Sequence, residues 1–341
     1  MQTIPVGNRA EFARALETAK AGTKILLAPG DYGGGFYREN LRGEPGKPIV
    51  IAGADPKRPP RFTGGNTALQ LSNVAYLELR DLLVEGSRFN GINIDDGGTF
   101  DTPAHHITLK NLTVHGVGEG GNNDGIKLSG LEQFTIENCT IEEWSRGGSG
   151  VDMVGCHRGT VLNSTFRNGG SSGIQMKGGT ARITVRRCRF EEAGARALNI
   201  GGSTGLPYFR PPGAKYEAKD ITVEECRFTG SEAPLAFVGV DGAVVRRCRI
   251  ERPGKWVIRI LQETREPGFV PCRNVLFEEN TVLFRSDRWV EGGINIGSGV
   301  AAETFRFRRN RWYCEDNPAR SKPRLPTPEE GGIYGQKISD G

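Results

Sequence analysis

The chain has 341 residues, of which 36% are hydrophobic and 49 are glycine, a composition typical of a folded, turn-rich protein. Lysine and arginine exceed aspartate and glutamate by 45 to 40, and the basic residues are not gathered in a predicted helix. This pattern disfavours nucleic-acid binding, but an anionic polymer is still an open possibility as a partner. No run of about 18 apolar residues predicts a membrane span.

The first predicted element is a helix near the N-terminus. Phe12 and Leu16 recur at helical spacing, and Asn8 followed three residues later by Glu11 is typical of a capping box. We therefore expect residues 8–21 to form a helix that covers one end of the molecule. The segment TKILLAPGDY, directly after it, is expected to form the first strand.

Most of the remaining chain repeats one pattern. Segments such as VAYLELRDLLVEG, HITLKNLTVHG and FTIENCTIEEW alternate apolar and polar residues, and shorter segments such as GINID, GIKLS, GVDMV and GIQMK lie between them. Alternation predicts half-buried strands, and a repeat of about two dozen residues with two or three strands predicts a solenoid. We predict an all-β fold, a parallel β-helix forming a single domain over residues 1–341, with residues 315–341 as an irregular tail.

The same repeat explains the seven cysteines, none of which forms a CxxC motif. Four of them occupy one column of the aligned repeats, together with a serine and two asparagines. Small residues at one position of successive turns are expected to stack inside the solenoid, where free cysteine behaves as a small buried hydrophobe. We therefore predict an interior ladder and neither disulfides nor a zinc site. Its members are Cys139, Ser164, Cys188, Cys226, Cys248, Asn280 and Asn310.

The outward face of the shorter strands carries a polar column. Because side chains alternate along a strand, Ile126 and Leu128 point inward and Lys127 points outward. Turns stack about 4.8 Å apart, so outward residues of neighbouring turns lie within contact distance. Amides both donate and accept hydrogen bonds, which suits a polyhydroxylated ligand, whereas a solvated surface is the simpler alternative. The column reads Asn93, Lys127, Asp152, Gln175, Asn199, Arg259 and Asn295.

A long insertion follows Asn199 and carries aromatic residues and an arginine beside this face. Tyr208 and Arg210 are expected to contact sugar rings and a substrate carboxylate or sulfate. For Phe209 and Tyr216, a hydrophobic contact beneath the loop is an equally good interpretation.

At these residues the sequence resembles the right-handed parallel β-helix repeat family, which includes polysaccharide lyases of the pectate, chondroitin and alginate type and polygalacturonase-like hydrolases. The resemblance implies a right-handed solenoid that acts on an anionic poly- or oligosaccharide. The stretch SGIQMKGG is similar to the lyase segment that carries the catalytic lysine, which falls on Lys177. The arginine of those lyases falls on Asn199, and Arg196 is its nearest substitute.

The resemblance to the hydrolases leaves a second interpretation open. The stretch NND at 122–124 is similar to their first acidic motif, Asp152 replaces their aspartate pair, and VIRIL retains Arg259, but their Gly-His-Gly element is missing. A glycoside hydrolase would use Asp124 and Asp152 as its two carboxylates. A β-helix that binds glycans without catalysis is the third interpretation.

The lyase interpretation is the one we adopt, with cleavage of a uronate-containing polysaccharide by β-elimination. Lys177 is the expected base, its pKa lowered by Lys127 and Arg196. Arg196 or Arg210 is expected to neutralise the enolate or donate the proton, while Asp124 and Asp152 position the substrate or hold calcium. The expected substrate-binding residues are Lys127, Gln175, Asn199, Tyr208, Arg210, Arg259, His105 and Asn123.

The sequence makes no statement about the oligomeric state. The chain begins without the charged and apolar segments of a secretory signal. Because enzymes of this kind meet their polymers outside the cytoplasm, we nevertheless expect a secreted or periplasmic protein, with a cytoplasmic location as the alternative.

Overall fold

The computed structural model describes residues 1–99, 101–118 and 120–338. These residues build three parallel sheets, and strands that neighbour each other in a sheet are about one repeat apart in sequence. The chain passes through the three sheets in a fixed order, so each turn forms one rung that hydrogen-bonds to the rungs before and after it. The predicted parallel β-helix is confirmed.

The strands are numbered in chain order and assigned to three sheets. Sheet 1 contains β1 (Gln2–Val6), β2 (Thr23–Leu27), β4 (Ile49–Gly53), β7 (Ala75–Arg80), β10 (Ala104–Lys110), β13 (Leu131–Glu137), β16 (His157–Leu162), β19 (Thr180–Arg186), β22 (Ala218–Glu224), β25 (Val240–Arg246), β28 (Arg273–Glu278), β31 (Arg306–Arg308) and β33 (Glu329–Glu330). Sheet 2 contains β5 (Arg61–Thr63), β8 (Leu83–Glu85), β11 (Thr113–Val117), β14 (Thr140–Trp144), β17 (Thr165–Gly169), β20 (Arg189–Ala193), β23 (Arg227–Thr229), β26 (Arg249–Glu251), β29 (Thr281–Phe284), β32 (Arg311–Cys314) and β34 (Ile333–Tyr334). Sheet 3 contains β3 (Phe36–Glu39), β6 (Leu69–Ser72), β9 (Ile92–Asp95), β12 (Ile126–Ser129), β15 (Ser149–Val154), β18 (Ser172–Lys177), β21 (Arg196–Gly201), β24 (Ala233–Val238), β27 (Ile258–Leu261) and β30 (Ile294–Ile296). Short 3₁₀ turns lie at Leu206–Tyr208, Glu291–Gly293, Ala302–Thr304 and Pro318–Arg320.

Each long repeat segment spans two strands and a sharp bend between them. In FTIENCTIEEW the bend lies at Asn138, whose φ of 53° is left-handed, so the chain leaves β13 and enters β14 in sheet 2. The left-handed residue adds one outward position, so that two outward residues, Glu137 and Asn138, separate the buried Ile136 from the buried Cys139. The sequence analysis interpreted the segment as one continuous alternation and missed this step. The equivalent residues are Asp81, Asn111, Asn163, Arg187, Glu225, Arg247, Glu279 and Arg309.

The ladder predicted from the cysteine column directly follows these bends and is buried. Its polar members satisfy backbone groups between rungs. The Cys139 amide donates to Ser164 Oγ at 3.1 Å, the Cys248 amide to Asn280 Oδ1 at 2.9 Å, and the Asn280 amide to Asn310 Oδ1 at 2.9 Å. All seven cysteines are free and buried, and the four of the predicted column lie in the interior ladder.

The predicted capping helix is present as α1 (Arg9–Thr18), which is shorter than the expected residues 8–21. The Glu11 amide donates to Asn8 Oδ1 at 3.0 Å, and the Glu11 carboxylate accepts from Asn8 Nδ2 at 2.9 Å and from the Gly7 amide at 2.7 Å. This is a variant of the capping box, because the carboxylate bonds to the backbone one residue before the N-cap. Phe12 is fully buried against aromatic rings of the first rungs. Within the described ranges, no helix is long and apolar enough to cross a membrane.

Two expectations about the ends of the chain were wrong. The first strand is β1, which precedes the helix, and the segment TKILL forms the second strand. Residues 315–341 were expected to be irregular, yet β33 and β34 add another rung to sheets 1 and 2. Strands of two residues are too short to show alternation in the sequence. Residues 339–341 of this tail lie outside the described residues.

Replacing Asn280 by alanine tests the ladder. The change removes the acceptor for the buried Cys248 amide, at 2.9 Å, and a donor to the Val245 carbonyl, at 3.0 Å. We expect the free energy of unfolding, measured by denaturant titration, to fall by about 2–4 kcal/mol. Cys139→Ser, which copies the natural Ser164, is the control and should cost distinctly less. Equal losses would show that the ladder hydrogen bonds do not contribute to stability.

Candidate active site

The polar column on the outward face of sheet 3 is confirmed by the strand register. Lys127 pairs with Asn93 on one side and Asp152 on the other, Asp152 pairs with Gln175, and Gln175 pairs with Asn199. The spacing of the repeats therefore placed these side chains correctly one rung apart.

The column continues in both directions. Beyond Asn199 it passes through Ala236 to Arg259, whose Nε donates to Asn295 Oδ1 at 3.0 Å. Arg259 lies three rungs from the strand of Lys177, about 14 Å along the solenoid axis, so it belongs to an outer part of the same face. Toward the N-terminus the column adds Gln70 and Tyr37, which sequence reasoning missed because their strands precede the clear repeats.

Loops on both edges of sheet 3 enclose the middle of this column. Residues 120–125 precede β12 and residues 202–217 follow β21, and between them lies a cavity of about 410 Å³. We call this cavity the central cleft. Its lining includes Asn122, Lys127, Ser129, Lys177, Thr204, Tyr208 and Arg210.

Two lysines and two aspartates form an ion network in the central cleft. Lys127 Nζ contacts Asp152 Oδ2 and lies 3.5 Å from Asp124 Oδ2, while Lys177 Nζ lies 3.3 Å from Asp152 Oδ2. The side chains of Asp124 and Asp152 are 1% and 0% exposed, whereas those of Lys127 and Lys177 are 21% and 14% exposed. The cleft therefore presents ammonium groups to a ligand and keeps the carboxylates beneath them.

Burial and the neighbouring charges set the protonation of this network. Burial, with repulsion from Asp152, raises the pKa of Asp124 to about 6, although the Ser149 amide donates to its Oδ1 at 2.7 Å. Burial by itself would lower the pKa of Lys127, but the carboxylates of Asp152 and Asp124 outweigh it and raise that pKa. Lys127 is therefore a permanent cation at neutral pH.

The donors around the two aspartates do not fit calcium. Calcium takes six to eight oxygen ligands, and no group of three or more His, Cys, Asp or Glu side chains in the described part of the chain is arranged to hold a metal ion. Asp152 Oδ1 is buried without a hydrogen-bond partner, but its other oxygen already contacts Lys127. The Lys127 ammonium thus takes the position between the carboxylates that a cation would need.

Glu217 anchors the loop over the cleft, and sequence reasoning missed it. Its fully buried carboxylate accepts hydrogen bonds from the Gly178 and Thr204 amides, both at 2.9 Å, and from the hydroxyls of Thr204 and Thr264. Gly178 directly follows Lys177, so Glu217 ties the loop to the end of the strand that carries the expected base. All of these partners are neutral and distant in sequence, and no motif marks them.

Arg210 closes one end of the cleft in a way that differs from its expected role. Its Nη2 donates to Asp96 Oδ1 at 3.0 Å, and Asp96 is 1% exposed, so the pair fastens residues 202–217 to the end of β9. Arg210 is therefore an anchoring residue, and the expectation that it neutralises or protonates substrate is not supported. Phe209 is buried edge-to-face against Phe269, which is the hydrophobic interpretation. Tyr208 is 64% exposed and lines the cleft.

Arg196 does not lie beside Lys177 as expected. It pairs with Ser172 at the start of β18, five residues before Lys177, which separates the two backbones by about 16 Å. Its guanidinium donates to Asn199 Oδ1 at 3.2 Å and to Glu263 Oε1 at 3.0 Å. The cation next to Lys177 is Lys127, because both contact Asp152.

Two further expected substrate contacts lie elsewhere. His105 is on sheet 1, where its Nδ1 lies 2.8 Å from His106 Nδ1, and it does not line the central cleft. Asn123 Nδ2 donates to the Gly120 carbonyl within its own loop, and the preceding Asn122 lines the cleft in its place. An unpaired loop gives no alternation from which the orientation of the Asn123 side chain could be predicted.

Asp124→Asn tests the protonation of the network. A carboxyl whose pKa is raised from 3.8 to about 6 binds more protons in the folded than in the unfolded chain between those pH values. Stability therefore falls as the pH rises through this window and stays lower above it. The asparagine retains the acceptor for Ser149, so we expect a gain on the order of 1–2 kcal/mol at pH 7 and a flatter profile of melting temperature between pH 4 and 6. An unchanged profile would contradict the assignment.

Glu217→Gln tests the loop anchor. The amide nitrogen of glutamine cannot accept hydrogen bonds, so at least one partner among Gly178, Thr204 and Thr264 is left unpaired. We expect faster hydrogen exchange across residues 203–216, measured by mass spectrometry, while exchange in β13 and β16 stays unchanged. Exchange that rises equally in those strands would indicate a global loss of stability and no specific anchor.

Known proteins share this architecture. The family model described as right handed beta helix region matches residues 61–210. The search of curated proteins finds no match. Among solved structures the chain is similar to an alginate lyase from Paenibacillus sp. str. FPU-7, with 19% identity, a TM-score of 0.58, and coverage of 88% of this chain and 99% of that one.

Two further structures show the same similarity. One is a rhamnogalacturonan lyase, with 14% identity, a TM-score of 0.60, and coverage of 91% of this chain and 87% of that one. The other is a GH136 lacto-N-biosidase from Eubacterium ramulus, with 14% identity, a TM-score of 0.64, and coverage of 98% of this chain and 67% of that one. Identities this low establish shared architecture and no shared activity. The chain is a right-handed parallel β-helix.

Proposed function

We propose that this protein is a polysaccharide lyase that cleaves a uronate-containing polymer by β-elimination. The observation that carries the proposal is the central cleft, where Lys127 and Lys177 are partly exposed above the buried Asp124 and Asp152. Removing the proton beside a uronate carboxylate requires a base and a nearby positive charge. Two lysines that share one buried carboxylate are suited to provide both in one place, one as the charged ammonium and the other, after it has released its proton, as the amine base.

The roles of the two lysines follow from their surroundings. Lys127 contacts both carboxylates, and its raised pKa keeps it charged, so it is suited to bind the substrate carboxylate and neutralise the developing enolate. Lys177, whose ion pair is with Asp152 and not with Asp124, is the base: as the neutral amine it takes the proton from the substrate and becomes the ammonium. Tyr208, exposed on the loop that lines the cleft, is the group to which we assign protonation of the departing glycosidic oxygen.

The glycoside hydrolase alternative receives less support from the same geometry. A hydrolase needs two carboxyl groups that reach the glycosidic bond, and in an inverting enzyme they stand about 6.5–9.5 Å apart to admit water. Asp124 and Asp152 are almost completely buried and both contact the ammonium of Lys127. Their arrangement suits support of the lysines better than contact with a sugar.

The similar solved structures support the substrate class of the proposal. They are described as an alginate lyase, a rhamnogalacturonan lyase and a lacto-N-biosidase, which are names of enzymes that act on carbohydrates. A glycan-binding β-helix without catalysis remains the competitor. It would need the amides of the column but not the paired lysines.

Lys177→Ala tests the assignment of the base. We expect formation of unsaturated product, followed by ultraviolet absorbance on a panel of uronate polysaccharides, to fall by at least about 10³-fold, a loss in the range that general base catalysis contributes. Lys57 is an exposed lysine between β4 of sheet 1 and β5 of sheet 2, so Lys57→Ala is the matched control and should retain activity. Retained activity in Lys177→Ala with an unchanged circular dichroism spectrum would refute the role.

Metal removal tests the proposal that lysine takes the place of calcium. Because the Lys127 ammonium already neutralises the buried carboxylates, we expect full activity after treatment with a chelator. We also expect no increase in melting temperature at millimolar calcium, the range of weak extracellular sites. Loss of activity that calcium restores would show that a metal participates.

A further inference from the structure

The outward face of sheet 3 changes its chemistry on the N-terminal side of the central cleft. The outward residues of β3, β6 and β9 include Tyr37, Glu39, Gln70, Asn93 and Asp95, and we call this surface the N-terminal arm. It joins the cleft directly, because Asn93 pairs with Lys127 and Asp95 pairs with Ser129 on the next rung. Tyr37 lies three rungs from Lys127, about 14 Å along the axis.

The N-terminal arm is acidic, whereas the cleft is basic. A cavity of about 230 Å³ on the arm is lined by Tyr37, Glu39, Ser72, Asn73, Asp95 and Thr102 among others, and no lysine or arginine of the described residues belongs to its lining. Arg42 donates to Asn73 Oδ1 at 2.7 Å without lining the cavity. A uronate bound here would meet carboxylates of like charge, which disfavours it.

The same residues are well suited to a neutral sugar. Gln70 Nε2 donates to Asp95 Oδ2 at 2.7 Å, and Asn93 Nδ2 donates to Gln70 Oε1 at 2.6 Å, so a connected row of amides and carboxylates faces outward. Such groups accept hydrogen bonds from hydroxyls and, in the amides, also donate them. Tyr37 is 61% exposed, and its hydroxyl donates to Glu39 Oε2 at 3.2 Å, which holds the ring at the edge of the cavity. An exposed ring beside hydrogen-bonding groups can stack on the apolar face of a pyranose.

We infer that the substrate is a heteropolysaccharide in which a neutral sugar lies next to the uronate that is cleaved. The uronate occupies the basic central cleft, and the neutral portion occupies the N-terminal arm. This inference rests on the proposed lyase function, since it takes the cleft as the site of the uronate. It adds a specificity that the cleft alone does not contain.

The test compares two oligosaccharides of equal length, a homo-oligouronate and one that alternates a uronate with a neutral hexose. We expect kcat/KM of the wild-type protein to be at least about tenfold higher for the alternating substrate. Tyr37→Ala should reduce this ratio about tenfold. Tyr37→Phe keeps the ring and should preserve the ratio, and Glu39→Gln, which removes a charge from the arm, should shift it toward the homo-oligouronate.

Two results would overturn the inference while leaving the lyase proposal intact. One is an equal or higher kcat/KM for the homo-oligouronate, and the other is an equal loss on both substrates in Tyr37→Ala. If neither substrate yields unsaturated product, the lyase proposal fails. Calorimetric titration of the wild-type protein with a neutral oligosaccharide then tests whether the N-terminal arm binds a neutral sugar. Binding that Tyr37→Ala weakens supports the arm as a neutral-sugar site, and absence of binding refutes it.

Discussion

The in-register backbone hydrogen bonding between successive rungs is the constraint on which the rest of this structure depends. It places a residue and its counterpart in the next turn about 4.8 Å apart, whatever their chemistry. Lys127 and Asp152 meet for this reason, as do the members of the interior ladder. The same constraint brings residues about 25 positions apart into contact, so a simple periodic sequence specifies both a core and a binding face.

The parts of the molecule that obey this periodicity could be predicted from the sequence. The alternation of GIKLS, GVDMV and GIQMK predicted the column from Lys127 to Gln175, and the register agrees with it. The bend at Asn138 was missed because it changes the spacing of the buried residues only once, from two to three, within a segment that otherwise alternates. The contacts of Arg210 with Asp96 and of Glu217 with Gly178 were also hidden, because they join loops whose shape follows no repeat.

In the central cleft the negative and positive side chains differ in their exposure and therefore in their roles. The carboxylates of Asp124 and Asp152 lie beneath the lysines and are shielded from solvent, where each charge influences its neighbours more strongly than it would at the surface. The sequence identified all four residues but described the aspartates as groups that meet the substrate or a metal. Their depth, which depends on the loops above them, makes them a support for the ammonium groups.

The central cleft lies in the middle of the solenoid, away from the ends at which unfolding begins. Each rung contacts only its neighbours, so loss of structure in such a molecule begins at the ends and advances inward. The strands of the cleft, β12, β15 and β18, are the fourth to sixth of the ten in sheet 3, with several rungs on either side. Outer rungs can therefore open and close under thermal stress while the lysine–aspartate network remains assembled. Local unfolding at the ends of the solenoid then does not inactivate the cleft.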